Sequence, residues 1–289
     1  MHYDGIIIRP PSEADSIIIQ ITAGCSHNRC TFCGAYKNKQ FRQRNNEEIN
    51  ENIAFAAKYC ARQHRVFLAD GDALILPQSR LVEIFTQICT RLPQVRRISL
   101  YANAKAIRSK TVEQLAELKK LGLNRVYLGL ESGDDQVLSA AIKGETADSM
   151  LAAARQVKEA GLFLSVTVLL GLAGATRSLI HARETGRVLT QMAPNQIAAL
   201  MFMPIPGTEL GDKVLAGVFQ LPDSHGLLEE LRELLVHTNC DRVQFMANHA
   251  SNYLPITGRL SRNKNEMLQL IDQALTGRVI LRAESMRAL

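Results

Sequence analysis

The chain has 289 residues, 46% hydrophobic and 21% charged, with no tryptophan. That length fits one large domain or two small ones with a core that needs no staples, and the composition excludes a disordered or collagen-like chain. The net charge of +6, from 34 basic and 28 acidic residues, permits contact with nucleic acid or an acidic protein without demanding either.

In chain order, the N-terminus (Met1, His2, Tyr3, Asp4) has an acid where a secretion signal needs lysines. The longest largely apolar run, 161–175, is shorter than the ~20 residues of a membrane helix. Together these predict a soluble, cytoplasmic protein. Strands are predicted at Ser16–Thr22, Val66–Ala69, Arg97–Tyr101, Arg125–Glu131, Phe163–Gly171 and Gln196–Met203. Amphipathic helices follow them near Glu47–Ala61, Ser79–Thr90, Thr111–Leu121, Thr146–Ala160 and Thr176–Met192. Strand-then-helix units in succession read as a parallel sheet with right-handed crossovers. The fold class is therefore α/β, a partial (β/α)6 barrel. After Pro204 the pattern turns helical, with helices at Ser224–Thr238, Arg262–Thr276 and Arg278–Ala288 around a polar segment, Asn239–Pro255. The expected organisation is an N-terminal segment (1–15), a barrel core (16–210) and a mostly helical C-terminal extension (211–289) packed on the core.

Six cysteines are too few for a secreted disulfide scaffold, and their distribution is uneven. Cys25, Cys30 and Cys33 follow the first strand, on the face where such folds put their active sites, whereas Cys60, Cys89 and Cys240 are scattered. Three thiolates can each take one iron of a cubane cluster and leave the fourth iron open for chemistry. Zinc, with His27 as fourth ligand, and a two-iron ferredoxin pattern completed by Cys60 are the rival ligand sets. Cys60, however, continues the helical spacing of Ile49, Ile53 and Ala56, which makes it a core-facing thiol.

The three cysteines, with Phe32 before the last, resemble the cluster motif of the radical S-adenosylmethionine superfamily, although the first gap holds four residues where the commonest pattern holds three. The resemblance extends over about residues 16–210, and its core is similar to oxygen-independent coproporphyrinogen oxidases and methylthiotransferases. It implies a [4Fe–4S] cluster on Cys25, Cys30 and Cys33, with the open iron chelating S-adenosylmethionine. It also implies an oxygen-sensitive enzyme in which a 5′-deoxyadenosyl radical abstracts hydrogen from substrate. The segment Asp70-Gly71-Asp72, which ends the second strand, resembles the motif that holds the cofactor's ammonium. Glu131, which ends the fourth strand, matches a residue at the cofactor's ribose or methionyl part, Ser132 beside it is a further cofactor-side candidate or a helix N-cap, and Lys143 matches a cation on its carboxylate. Gly171 and Met203 close the fifth and sixth strands on the adenine side.

Substrate-side candidates are Tyr101 and Asn103 at the end of the third strand, and His249 and Tyr253 in the tail, with His249 as acid, base or donor. Lys37, Lys39, Arg42 and Arg44 form a basic run that reads as a solvated face or as a docking surface for an acidic flavodoxin-like or ferredoxin-like electron donor. The expected substrate is a small molecule or cofactor precursor. An RNA-modifying enzyme is the alternative within the class, with nucleic acid permitted but not favoured. A non-catalytic iron–sulfur or zinc module is the alternative outside it.

Overall fold

The computed structural model describes residues 1–288 and is an α/β protein. Its principal strands are β1 (Ile17–Gln20), β2 (Arg65–Ala69), β3 (Arg97–Tyr101), β4 (Leu123–Glu131), β5 (Phe163–Leu170), β6 (Gln196–Met201), β7 (Gln244–Ala247) and β8 (Ile256–Arg259). Its helices are α1 (Asn46–Tyr59), α2 (Gln78–Arg91), α3 (Ala104–Arg108), α4 (Val112–Lys120), α5 (Asp135–Ala140), α6 (Ala147–Glu159), α7 (Ser178–Met192), α8 (Glu209–Leu215), α9 (Ser224–His237) and α10 (Lys264–Leu275). The chain divides into two compact units, one of residues 1–28, 35–128 and 152–164, the other of residues 29–34, 129–151 and 165–289.

In the first unit β1, β2, β3 and β4 pair in parallel, with Ile18 opposite Phe67, Phe67 opposite Ser99 and Ser99 opposite Arg125. One face is closed by apolar residues (Ile17, Ile19, Val66, Leu68, Ile98, Leu100). Helix α1 starts where the sequence places it because Asn45 and Glu48 cap each other reciprocally. It turns Ile49, Ile53 and Ala56 inward. On the other face Ile18, Phe67, Ala69 and Tyr127 pack with Ile7 and Tyr101. The N-terminal segment is anchored there, since buried Glu13 accepts from the Tyr127 hydroxyl at 2.7 Å and from Arg97 at 3.0 Å.

In the second unit β5 pairs in parallel with β6, and β6 with β7, while β8 runs antiparallel to β7. Burial alternates with the pleat. Val166, Val168, Leu170, Ile197, Ala199, Met201, Phe245 and Ala247 are sealed, whereas Thr167, Leu169, Ala198, Leu200 and Met246 are half-exposed. One face is sealed and the other is only partly covered.

The tail differs from expectation most plainly at β7 and at its C-terminal helix. The polar segment 239–255 contains β7, which joins the edge of β6 through register pairs Ile197–Phe245 and Ala198–Met246. The predicted helix 278–288 is reduced to one short turn, Glu284–Met286. The Arg282 side chain bonds the carbonyls of His249, Ala250 and Asn252, and its N–H bonds Tyr253 O at 2.8 Å. Those bonds draw the segment out along 249–253 and outweigh helix propensity.

Candidate active site

The cysteine-bearing loop begins at Gly24, whose φ of +79° suits glycine. Its N–H donates to Asp70 Oδ2 at 3.0 Å, and that same oxygen accepts from Gln20 at 2.9 Å and from Lys39 at 2.9 Å. Asp70 therefore ties the root of the loop to the end of β2. Its other oxygen, Oδ1, is buried without a protein partner. Gly71 must be glycine, because a Cβ there would come 2.6 Å from the Tyr36 ring and 3.2 Å from Cys25 Cβ.

Asp72 is also fully buried. It accepts from the Ser26 hydroxyl, and from Asn103 through both side-chain and backbone N–H at 2.7 and 3.2 Å. Burial pushes its pKa up to about 6 against the pull of those hydrogen bonds and of Lys110 and Lys105. Asn103 in turn caps α3 by accepting from Ala106 N at 2.7 Å. Tyr101 joins an aromatic trio, 5.2 Å from Phe67 and 5.8 Å from Tyr127 between ring centroids.

The rest of the loop is held within the second unit. Thr31 donates to Ala141 O at 3.0 Å and accepts from Leu210 N at 2.9 Å. Phe32 packs on Val137, Ala141, Leu172, Phe202 and Leu210. Cys33 N donates to Cys30 O at 3.3 Å. Cys25, Cys30 and Cys33 are of intermediate exposure. Among the described residues no three His, Cys, Asp or Glu side chains stand gathered as a metal cage. The donor set is three unoxidised thiols on one loop. It suits a cluster-type group that takes one thiolate per iron.

Glu131 closes β4 with φ +63°, a left-handed conformation that costs a non-glycine residue about 1–3 kcal/mol and clusters at functional sites. Its carboxylate pairs with Lys143 at 3.0 Å, both side chains 14% exposed. Gly129 makes room, because a Cβ there would come 2.2 Å from Glu131 Oε1 and 3.2 Å from Lys143 Nζ. Ser132 points the other way and is buried. Its hydroxyl accepts from Asp134 N at 2.9 Å and lies 3.5 Å from His181 Nδ1. Gly171 turns the chain after β5 at φ +84°, and its N–H donates to Glu230 Oε1 at 2.8 Å. Met203 is half-buried after β6.

The tail candidates are knitted into the tail itself. His249 lies 3.0 Å from the Ser251 hydroxyl, and burial with the nearby Arg282 charge lowers its pKa. The Tyr253 hydroxyl bonds Glu284, and the Arg287 guanidinium lies 4.1 Å from its ring centroid. Three cations of the basic run have acidic partners within the chain. Lys39 pairs with Asp70, Arg42 with Asp4 and Glu48, and Arg44, itself buried, with Glu48 at 3.1 Å. Asp70 and Asp4 lie 31 and 38 positions from Lys39 and Arg42, whereas Glu48 is only four from Arg44 and six from Arg42.

Sequence reasoning missed His181 and Glu230, both fully buried. The signal was present for Glu230, since an acid at that position falls on the apolar stripe Leu227, Leu231, Leu234 of α9.

The profile of the Radical SAM superfamily matches residues 19–183, more than half of the chain. A Methanocaldococcus jannaschii protein provisionally named a methylthiotransferase is 24% identical over 221 residues, covering 75% of this chain and 48% of its own. The chain spans less than half the length of the curated relatives it matches. Coproporphyrinogen III oxidase from Escherichia coli, titled a radical SAM enzyme, superposes with a TM-score of 0.56 at 15% identity, covering 78% of this chain and 52% of that one. The radical S-adenosylmethionine methyltransferase from Kitasatospora setae superposes with a TM-score of 0.56 at 19% identity, covering 71% and 40%. At these identities the structural likeness establishes the fold. No helix among the described residues is long and apolar enough to cross a membrane.

Proposed function

Because the chain belongs to the radical SAM superfamily, whose enzymes use a [4Fe–4S] cluster and S-adenosylmethionine, we propose that it cleaves that cofactor reductively and abstracts hydrogen from a small-molecule or cofactor-precursor substrate. The observation that carries this reading is the Glu131–Lys143 pair. A left-handed acid at the rim of a parallel strand is held beside a cation, next to a glycine that leaves space for both.

Cys25, Cys30 and Cys33 would hold the cluster, and bound there the cluster and nucleotide supply one-electron cleavage of a sulfonium. The chain's own residues bind and orient. Asp70 retains one buried carboxylate oxygen without a partner, an acceptor suited to a cationic group. Lys143 offers a charge for a carboxylate and Glu131 an acceptor for hydroxyls, each now satisfying the other until a ligand intervenes. The half-exposed face of Thr167, Leu169, Ala198 and Leu200 is mainly apolar and excludes water from a reactive centre. An electron donor is part of the proposal.

The test is anaerobic reconstitution with iron and sulfide, followed by S-adenosylmethionine and dithionite. A visible spectrum that changes on adding the cofactor, with release of methionine and 5′-deoxyadenosine, is the expected result. Tight stoichiometric zinc with no response to the cofactor overturns the proposal in favour of a binding module. Salt-sensitive retention on tRNA would redirect the substrate to RNA.

A further inference from the structure

Helices α7 and α9 each place one titratable side chain on a sealed face. Glu230 is fully buried on α9, where Leu227, Leu231 and Leu234 surround its position in the helical pattern. It does not sit there idle. Its Oε1 accepts the Gly171 N–H at 2.8 Å, and its Oε2 accepts the Ser178 hydroxyl from the start of α7. His181, one turn along α7, brings Nε2 to 3.8 Å from Glu230 Oε1, and that nitrogen has no hydrogen-bond partner. Its Nδ1 lies 3.5 Å from the hydroxyl of Ser132, the residue after Glu131. These buried polar groups line up from the turn after β5 to the loop after β4, with a 3.8 Å approach rather than a hydrogen bond between His181 and Glu230.

We infer that Glu230 is a positioning residue, holding the Gly171 turn in place for the adenine side of the cofactor while His181 links it to the loop that carries Glu131. The inference rests on the function proposed above. Its physical basis is that a buried backbone N–H needs an acceptor, and a turn whose N–H is held by a side chain from another helix moves with that helix. The Gly171 turn has little freedom of its own, since a Cβ at that residue would come 3.1 Å from Leu227 on the same helix as Glu230. The acceptor is also tunable. Burial pushes Glu230 up to about 7, and the ionised form grips an N–H harder than the neutral form. Of the titratable and charged groups packed around it, His181 on α7 faces Glu230. Asp134 and Arg177, themselves paired at 2.7 Å, bear on His181, and Glu233 is turned toward Arg183 and His237.

The experiment compares wild type, Glu230→Ala and Glu230→Gln as cluster-loaded enzymes, measuring the dissociation constant for S-adenosylmethionine between pH 6 and pH 8.5. Hydrogen exchange of residues 170–174 is measured in parallel on cluster-free protein. Alanine leaves the Gly171 N–H without its acceptor, so binding weakens at least tenfold and exchange in the turn accelerates. Glutamine keeps a carbonyl oxygen for Gly171 and restores binding to within threefold of wild type. Its affinity ratio to wild type shifts at least threefold across pH 7, because only the carboxylate ionises there. A purely structural role would give neither the rescue nor the pH-dependent ratio. Alanine binding as tightly as wild type, or a ratio flat with pH, overturns the positioning role. A wild type that fails to bind the cofactor overturns the proposed function instead, and the cofactor role of Glu230 with it.

Discussion

His181 Nε2 stands 3.8 Å from Glu230 Oε1, and neither side chain is exposed to solvent. Burial lowers the histidine to about 4 and raises the glutamate to about 7, so near pH 5.5 the pair is folded as neutral imidazole and neutral carboxyl. In the unfolded chain at that pH the imidazole carries the proton and the carboxylate is ionised. Folding therefore moves a proton between the two without net uptake, and the intact pair adds little pH dependence to stability.

Single substitutions expose each half. In Glu230→Gln the depressed histidine remains, the unfolded state binds more protons, and stability falls as pH drops from 6.5 toward 4. In His181→Gln the raised glutamate remains, the folded state binds more protons, and stability falls as pH rises from about 4.5 through 7. The two slopes have opposite signs and approach about 1.4 kcal/mol per pH unit in mid-window. Urea midpoints at pH 4.5, 5.5 and 6.5 measure them. Parallel curves for the two variants would mean the pair does not titrate as described.

Asp70 gives the second prediction. One of its oxygens gathers Gln20, Gly24 and Lys39, and Lys39 is only 15% exposed. Asp70→Ala strands a largely buried ammonium and the Gly24 N–H, which costs about 3 kcal/mol. The root of the cysteine loop loosens with it, so iron incorporation falls along with the urea midpoint. Asp70→Ala combined with Lys39→Met removes the stranded charge and recovers part of the stability. If the double variant is no more stable than the single, the Lys39 pairing is not what Asp70 supplies.

These two cases show where sequence was informative and where it was not. The strands β2 through β6 were readable because each is a short apolar run, closed in β2, β4, β5 and β6 by a glycine, a proline or an acid and in β3 by Asn103, and α1 because Asn45 and Glu48 spell its capping box. The Asp70-Gly71-Asp72 segment was readable as two acids around a glycine at the end of β2. That Gln20, Gly24, Ser26, Lys39 and Asn103 already hold those carboxylates depends on contacts across 31 to 50 positions, which no local pattern encodes. Strand β7 was hidden because Asn, Asp, Arg and Gln flank Phe245 and Met246, and only pairing to β6 makes that segment extended.

Gly129 offers a test of the Glu131–Lys143 geometry that leaves both charges in place. In Gly129→Ala the new Cβ falls 2.2 Å from Glu131 Oε1, so the carboxylate must leave its present rotamer. Binding of S-adenosylmethionine to the reconstituted protein weakens about tenfold, a change of roughly 1.4 kcal/mol. Glu131→Gln weakens it similarly while the cluster spectrum is unchanged. Because the alanine acts through Glu131, adding it to Glu131→Ala costs nothing further. A double-mutant cycle by calorimetry checks this, and additive losses would disprove the shared mechanism.

Arg282 is predicted to fold the tail. Its side chain bonds the carbonyls of His249, Ala250 and Asn252, the last two at 2.8 Å, and with Arg287 on Ser251 O it holds a segment that has no regular structure of its own. Arg282→Ala removes three charge-assisted bonds from partly buried acceptors and costs about 2–3 kcal/mol. It also removes a positive charge beside His249, whose pKa is depressed first by burial and then by that arginine. The His249 imidazole therefore titrates at higher pH in the variant than in wild type, and hydrogen exchange through 249–253 accelerates. Lysine at 282 keeps the charge but lacks the planar fork, so Arg282→Lys holds His249 down while recovering only part of the stability. NMR titration of the imidazole beside urea denaturation separates the two effects. A His249 pKa unmoved in the alanine variant would show that burial alone sets it.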